Sequence, residues 1–165
     1  MPEMLAKAIR LASAVHEKQM DKSNIPYVMH VLRVMMSVSV SSQDGLSHNA
    51  IMSAAVLHDV IEDSHLTLDD LRKEGFSEEV VLAVDSVSRR KHEHESYESL
   101  IARSCKNKFG TIIKWHDIND NLSVSRIEKL PVEMVLKLHK KYLEAKVVLW
   151  SHYVKASILV YGRII

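Results

Sequence analysis

The chain is poor in the residues that interrupt regular structure, with four glycines and three prolines among 165 residues. With so few turn formers, long helices joined by short links are the expected layout. It has a single cysteine, Cys105, which excludes an intrachain disulfide and fits a reducing compartment. It has no excess of charge of either sign. At a formal net charge of +1, bulk electrostatics favours neither a nucleic acid nor an anionic membrane as partner. Met1-Pro2-Glu3-Met4 lacks the basic-then-apolar layout of a signal peptide. The apolar stretch from Val147 to Ile165 is nearly long enough to span a bilayer, but His152, Lys155 and Arg163 interrupt it. A cytoplasmic protein with no membrane and no nucleic-acid partner is expected. One domain over residues 1–165 is long enough for a substantial core.

Hydrophobic spacing reads as helix almost throughout. Leu5, Ile9, Leu11, Ala12 and Val15 recur at helical intervals between Pro2 and Gln19, and Pro2 suits a first turn. Asp21-Lys22-Ser23-Asn24-Ile25-Pro26 breaks the pattern: Asn24 and Pro26 are turn formers, and Ile25 is biased towards an extended backbone by the proline after it. A helix is expected from about Tyr27 to Val40, a polar connection over Ser41 to Ser47, and a helix from about His48 to Asp63. Thr67-Leu68-Asp69-Asp70 has the form of a capping box, and its short helix should stop at Gly75. Ser77-Glu78-Glu79 opens a helix to about Val87. Two more follow from Ser96 to Cys105 and from Phe109 to Leu122.

Residues 131–165 form a C-terminal helical extension, with Val135, Leu138, Tyr142, Ala145, Leu149, His152 and Ala156 as a packed seam. The extension is expected to cover the core. Val147, Val148, Val154, Ile158, Ile164 and Ile165 add apolar surface off that seam, so a homodimer contact through this helix is the alternative. No strand-like alternation or internal repeat is present, and the fold class is all-α.

The chain is organised around Ala54-Ala55-Val56-Leu57-His58-Asp59-Val60-Ile61-Glu62-Asp63. At ~100° per residue, with His58 at zero, Glu62 falls near ~40°, Asp59 near ~100° and Asp63 near ~140°. The aliphatic residues fill the opposite arc, which suits a core. Three carboxylates on one face repel one another, and a cation removes that cost. A second acidic cluster, Asp117, Asp120 and Asn121, has spacing i, i+3, i+4 and projects from one helical face. With His30, these groups make a borderline-to-hard donor set suited to Mn²⁺, Fe²⁺ or Zn²⁺. Held by His30, His58, Asp59 and Asp117, such an ion keeps open positions for water and substrate, acidifies water and offsets charge on a phosphoryl oxygen.

A histidine, a His-Asp pair and a later aspartate in this order resemble the HD phosphohydrolase superfamily. The motifs His16-x-x-Gln19, Lys22-Ser23, Pro26-Tyr27-x-x-His30, Leu57-His58-Asp59-Val60-x-Glu62-Asp63, Gly75-Phe76-Ser77 and Lys114-x-x-Asp117-x-x-x-Asn121 are most similar to the hydrolase domain of Rel/SpoT stringent-response enzymes and to stand-alone small alarmone hydrolases. The resemblance covers Ala6 to Ser125. It implies an α-helical bundle with the metal site between central helices, and a Mn²⁺-dependent 3′-pyrophosphohydrolase of (p)ppGpp or (p)ppApp that releases pyrophosphate. It implies His30, His58, Asp59 and Asp117 as metal ligands, with Mn²⁺ expected and Fe²⁺ or Zn²⁺ as alternatives. Glu62 and Asp63 match the catalytic acidic pair, one serving the attacking water and the other the leaving ribose oxygen. Lys22, Tyr27, Lys114 and Asn121 match substrate-side positions, with Lys114 either near the phosphates or positioning the metal helix.

This chain departs from that pattern at several positions. Asp21 stands where an arginine is usual, Asn24 where a glycine is usual, Asp120 where many members have histidine and Val124 where threonine is common. Asp21 and Val124 alter the nucleotide pocket and leave guanine or adenine open. Alternatives are hydrolysis of another nucleotide or a phosphate monoester, and a metal- or nucleotide-binding regulator without turnover. The retained Glu62-Asp63 pair argues against the last.

The remaining residues read blandly. His92-Glu93-His94 is expected to be a solvated loop, Trp115 and Trp150 core or core-edge, and the short basic runs solvated surface. His16 either touches the site or bonds the loop after its helix.

Overall fold

The computed structural model describes residues 2–40, 46–90 and 93–161. Most of the expected connection from Ser41 to Ser47 falls outside them, as do His92, Ile164 and Ile165. Ten helices are described: α1 (Pro2–Val15), α2 (Val28–Val40), α3 (Leu46–Val56), α4 (Val60–Asp63), α5 (Leu68–Lys73), α6 (Glu78–Val87), α7 (Tyr97–Ser104), α8 (Lys108–Asn121), α9 (Val124–Ile127) and α10 (Val132–Tyr161). Among the described residues the sole β pairing is an isolated bridge between Met20 and Pro26.

The core forms around α3, which packs against α1, α2, α6 and α8. Ala50, Ile51, Ser53, Ala54, Ala55 and Val56 are all buried, so α3 is enclosed on every side. Its small residues let neighbouring backbones close in, and a large side chain such as Ile51 adds about 1.5–3 kcal/mol on burial. The α5 boundaries follow the local chemistry. Thr67 and Asp70 form the reciprocal capping box. Past the helix end, Gly75 takes φ +83°, and the Phe76 and Gly75 amides donate to Leu71 and Arg72 carbonyls, with buried Phe76 and Leu71 closing the end.

Two differences from the sequence reading matter. The expected helix from His48 to Asp63 is broken by a turn over residues 57–59. The Ala55 carbonyl, which an unbroken helix gives to the Asp59 amide, instead accepts the His58 ring Nδ1–H at 2.7 Å. Val60 then bonds Leu57 in a tighter turn, and Asp59 sits at φ −102°, ψ −5°, the bridge region common at active sites. The face angles computed for a straight helix therefore do not describe the site. The second difference is on α10, which lies along α8. Its buried seam runs Ala145, Leu149, Tyr153, Ala156, while His152 is exposed. A straight helix at 3.6 residues per turn drifts off a strict three-four spacing.

Candidate metal centre and active-site pocket

Three elements bring the ionisable residues together. His30 comes from the first turn of α2, His58 and Asp59 from the turn between α3 and α4, and Asp117 from α8. Asp59 Oδ2 lies 3.6 Å from His30 Nε2 and 3.1 Å from His58 Nε2. Asp117 Oδ1 lies 3.3 Å and 3.8 Å from the same two nitrogens. His30, His58 and Asp59 each offer a donor atom within 4.8 Å of the others. Asp117 joins the imidazoles through one oxygen, which also accepts from Asn121 Nδ2 at 2.5 Å.

The donors fit a divalent ion. Both imidazole Nε2 atoms are buried and have no hydrogen-bond partner among the described residues, although buried polar atoms nearly always find one. Each ring is held through its other nitrogen: His58 Nδ1 on the Ala55 carbonyl, His30 Nδ1 on Asp120 Oδ2 at 2.7 Å. Each ring thus keeps its Nε2 uncommitted beside Asp59 and Asp117, as metal-binding histidines do. An ion with bonds of ~2.1 Å sets donor–donor edges of roughly 3.0 to 3.5 Å, close to the spacings observed.

The electrostatics reflect like charges crowded out of water. Burial works to raise the pKa of Asp59 and Asp117, but His58 overrides it for Asp59 and Lys114 for Asp117, and both fall below the usual carboxylate range. For His58, burial favours the neutral ring, yet Asp59 and then Asp117 raise its pKa to about 9. Lys114 Nζ donates to Asp117 Oδ2 at 2.8 Å, and the Tyr27 hydroxyl to Asp59 Oδ2 at 2.6 Å. So three of the four residues expected on the substrate side (Tyr27, Lys114 and Asn121) grip the carboxylates of Asp59 and Asp117. Lys22 is exposed on the loop before α2.

A cavity of about 360 Å³ opens over this cluster, within the range of small-ligand sites. Asp59, Glu62, Asp63 and Asp117 line it, together with all four expected substrate residues and the cations Arg89, Arg126 and Lys141. Glu62 accepts the Arg89 amide at 3.2 Å. Asp63 accepts from Gln19 Nε2 at 2.9 Å, and Gln19 Oε1 meets His16 Nδ1 at 2.6 Å. His16, fully buried, therefore reaches the site through Gln19.

Asp21, the reversed charge, is turned back into its own loop. Its Oδ1 accepts the Ser23 and Ile25 amides, and Asn24 takes φ +60° to close the turn. Its Oδ2 lies 3.8 Å from Arg126. The sequence reading missed this arginine, and also Asp120 as the support of His30. Arg33 donates to Asp120 at 2.6 and 3.0 Å and, with His30, holds its carboxyl at about 2 against burial. Arg33 stands one turn after His30 on α2, a spacing that could have flagged it, whereas Gln19 was already part of the His16-x-x-Gln19 motif. Nothing local flags Arg126 or Lys141.

A model of the HD domain family matches residues 8–109. The chain belongs to the HD domain family. Guanosine-3′,5′-bis(diphosphate) 3′-pyrophosphohydrolase MESH1 of Drosophila melanogaster is 31% identical to this HD domain chain over 126 residues, 70% of this chain and 66% of that protein. The guanosine-3′,5′-bis(diphosphate) 3′-pyrophosphohydrolase of Haemophilus influenzae is 34% identical over 121 residues, and that of Aquifex aeolicus 29% identical over 126. The matches cover 68% and 73% of this chain, which spans 17% of the length of each of these two relatives. A solved chain described as a metazoan ortholog of SpoT that hydrolyzes ppGpp shares the fold, at a TM-score of 0.66 and 22% identity over 98% of this chain and 89% of that one. No described helix is long and apolar enough to cross a membrane.

Proposed function

We propose that the chain is a divalent-metal-dependent nucleotide pyrophosphohydrolase that removes the 3′-diphosphate of an alarmone, (p)ppGpp or (p)ppApp, in the cytoplasm. One observation carries the reading. Two buried imidazole nitrogens with no protein partner converge with Asp59 and Asp117 beneath a cavity that Glu62, Asp63 and several cations line. The names of the relatives support the same substrate class.

His30, His58, Asp59 and Asp117 would hold the ion, Mn²⁺ in our reading and Fe²⁺ or Zn²⁺ as alternatives. When bound, it would supply Lewis acidity to phosphoryl oxygens and lower the pKa of water. The remaining work falls to side chains. Of Glu62 and Asp63, one takes a proton from the attacking water and the other returns one to the leaving ribose oxygen. The Gln19 amide keeps Asp63 oriented, while Tyr27 fixes Asp59. Lys22, Arg89 and Lys141 offset the charge of the diphosphate from the cavity wall. Arg126 meets the negative charge of Asp21, so the reversed charge at that position is compatible with an anionic ligand.

The test is a substrate panel of ppGpp, ppApp and simple nucleoside phosphates with Mn²⁺ present. Pyrophosphate released from a 3′-diphosphate and lost in Glu62→Gln supports the reading. Orthophosphate from a monophosphate points to the other class of HD hydrolase, and binding without turnover to a regulator.

The outer face of α10 joins this proposal as a contact with a second copy of the chain. Val132, Leu136, Leu143, Val147, Trp150 and Ile158 are 49–79% exposed on the side away from the buried seam. They offer on the order of 600 Å² per copy, near the ~800 Å² per partner of a specific interface. Sedimentation should give a dimer that Val147→Glu converts to a monomer; a monomeric parent protein at micromolar concentration overturns it.

A further inference from the structure

We infer that His16 is a positioning residue for Asp63: its Nδ1–H holds the Gln19 side-chain oxygen and so turns the Gln19 NH2 group onto Asp63 Oδ2, an inference that rests on the acid–base role proposed for Asp63. Gln19 Nε2 lies 2.9 Å from Asp63 Oδ2, a contact across 44 positions of sequence. Gln19 Oε1 lies 2.6 Å from His16 Nδ1.

The direction of this relay follows from what each group can give. An ionised carboxylate only accepts, so the Gln19 NH2 group faces Asp63 and the amide oxygen faces His16. That oxygen also only accepts, so the ring hydrogen of His16 is on Nδ1. The first link secures the second. Without the His16 donor the Gln19 amide is free to turn over, and its oxygen end repels the Asp63 carboxylate.

The frame is rigid at the His16 end. His16 is fully buried in the turn after α1, where its amide donates to the Ala12 carbonyl at 3.0 Å. Its ring packs on Tyr27, with centroids 5.1 Å apart. The Gln19 amide donates to the His16 carbonyl at 3.1 Å, and the Gln19 carbonyl accepts the Tyr27 amide at 2.8 Å. Asp63, the last residue of α4, is exposed at the cavity. A buried ring thus steers an exposed carboxylate.

Packing alone does not account for an imidazole here. His16 Nε2 is buried with no hydrogen-bond partner among the described residues, a cost that an aliphatic side chain avoids. The Gln19 N–H favours the charged form of Asp63 Oδ2. That leaves Oδ1, which no donor among the described residues reaches, to take the proton from water or return it to the leaving ribose oxygen.

Three variants separate positioning from packing. His16→Leu fills the space without a donor, and His16→Asn sets a side-chain N–H near the place of Nδ1. Gln19→Glu keeps the shape and the acceptor for His16 but turns a second carboxylate on Asp63. In His16→Leu, kcat per folded molecule should fall about 10- to 100-fold, with KM and Mn²⁺ affinity within about threefold of the parent. Gln19→Glu should lose at least as much, and His16→Asn should recover kcat to within about threefold of the parent. Nitrogen NMR shifts of the parent ring should place a hydrogen on Nδ1. A kcat for His16→Leu within about twofold of the parent overturns the inference. So does a His16→Asn protein as impaired as His16→Leu, or a ring hydrogen on Nε2 alone. Should His16→Leu fail to fold, Gln19→Glu and the ring hydrogen decide. A parent protein inert on every substrate defeats the proposed activity itself, and the inference with it, before any variant is compared.

Discussion

Two clusters of charge in this molecule are satisfied in opposite ways. Around Arg103 the network closes on itself. Its guanidinium forks onto both Glu95 carboxylate oxygens at 2.8 and 2.7 Å, and donates to the Asp85 and Ser88 carbonyls. It ties the end of α6 and the link after it to α7. Beneath the cavity the carboxylates are equally well bound, by Tyr27, Lys114, Asn121 and Arg33. There, however, two imidazole nitrogens are left over. A structural cluster uses all of its hydrogen bonds for the fold, whereas the candidate site withholds a few and aims them inward. The same residue types thus serve stability in one place and ligand capture in the other.

Breaking the ligand set should have the largest effect. Asp59→Asn is expected to lower kcat/KM by at least ~10³-fold and to abolish the rise in melting temperature that Mn²⁺ gives the parent protein. A variant that still shifts with Mn²⁺ removes Asp59 from the ligands. Next comes Glu62→Gln, with kcat down roughly 10²- to 10³-fold and Mn²⁺ affinity within about twofold, separating acid–base work from metal binding. Asp120→Asn should weaken Mn²⁺ binding by about 10- to 100-fold in calorimetric titration, since His30 loses the carboxylate that fixes its ring.

The closed cluster should respond in stability alone. Arg103→Met is expected to cost about 2 kcal/mol in urea unfolding, because the fork is only partly buried, and to leave turnover per folded molecule unchanged. The smallest effect is a pH dependence. The hydrogen bond from Arg103 holds Glu95 below its ordinary value of 4.5, so the folded protein binds that proton less readily than the unfolded chain. The contribution is whole above about pH 4.5 and is lost as pH falls through the depressed folded value. Glu95→Gln should flatten that acid limb of the stability curve.

Much of this was legible in the amino-acid order. Helix spacing located most of the principal helices, the Thr67–Asp70 capping box and Gly75 bounded α5, and the tolerance of Asn24 for positive φ appeared at φ +60°. The four residues named for the metal lie together, and Asp59, Asp117, Glu62 and Asp63 among the named residues line one cavity. What escaped was the short α9, the break at His58, and supporting partners recruited from elsewhere in the chain, Asp120 for His30 and Arg126 for Asp21.

The order of residues by itself determined the all-α class, the approximate helix limits and which chemistry the chain carries, because spacing and capping act within a few residues. The tertiary structure alone decided which ionised groups face each other and which nitrogen or oxygen stays unpaired. His30 and Asp120 are ninety residues apart and meet only when α2 and α8 pack. Even the turn at His58 depends on a ring nitrogen taking a backbone carbonyl, a contest between two donors that periodicity does not register.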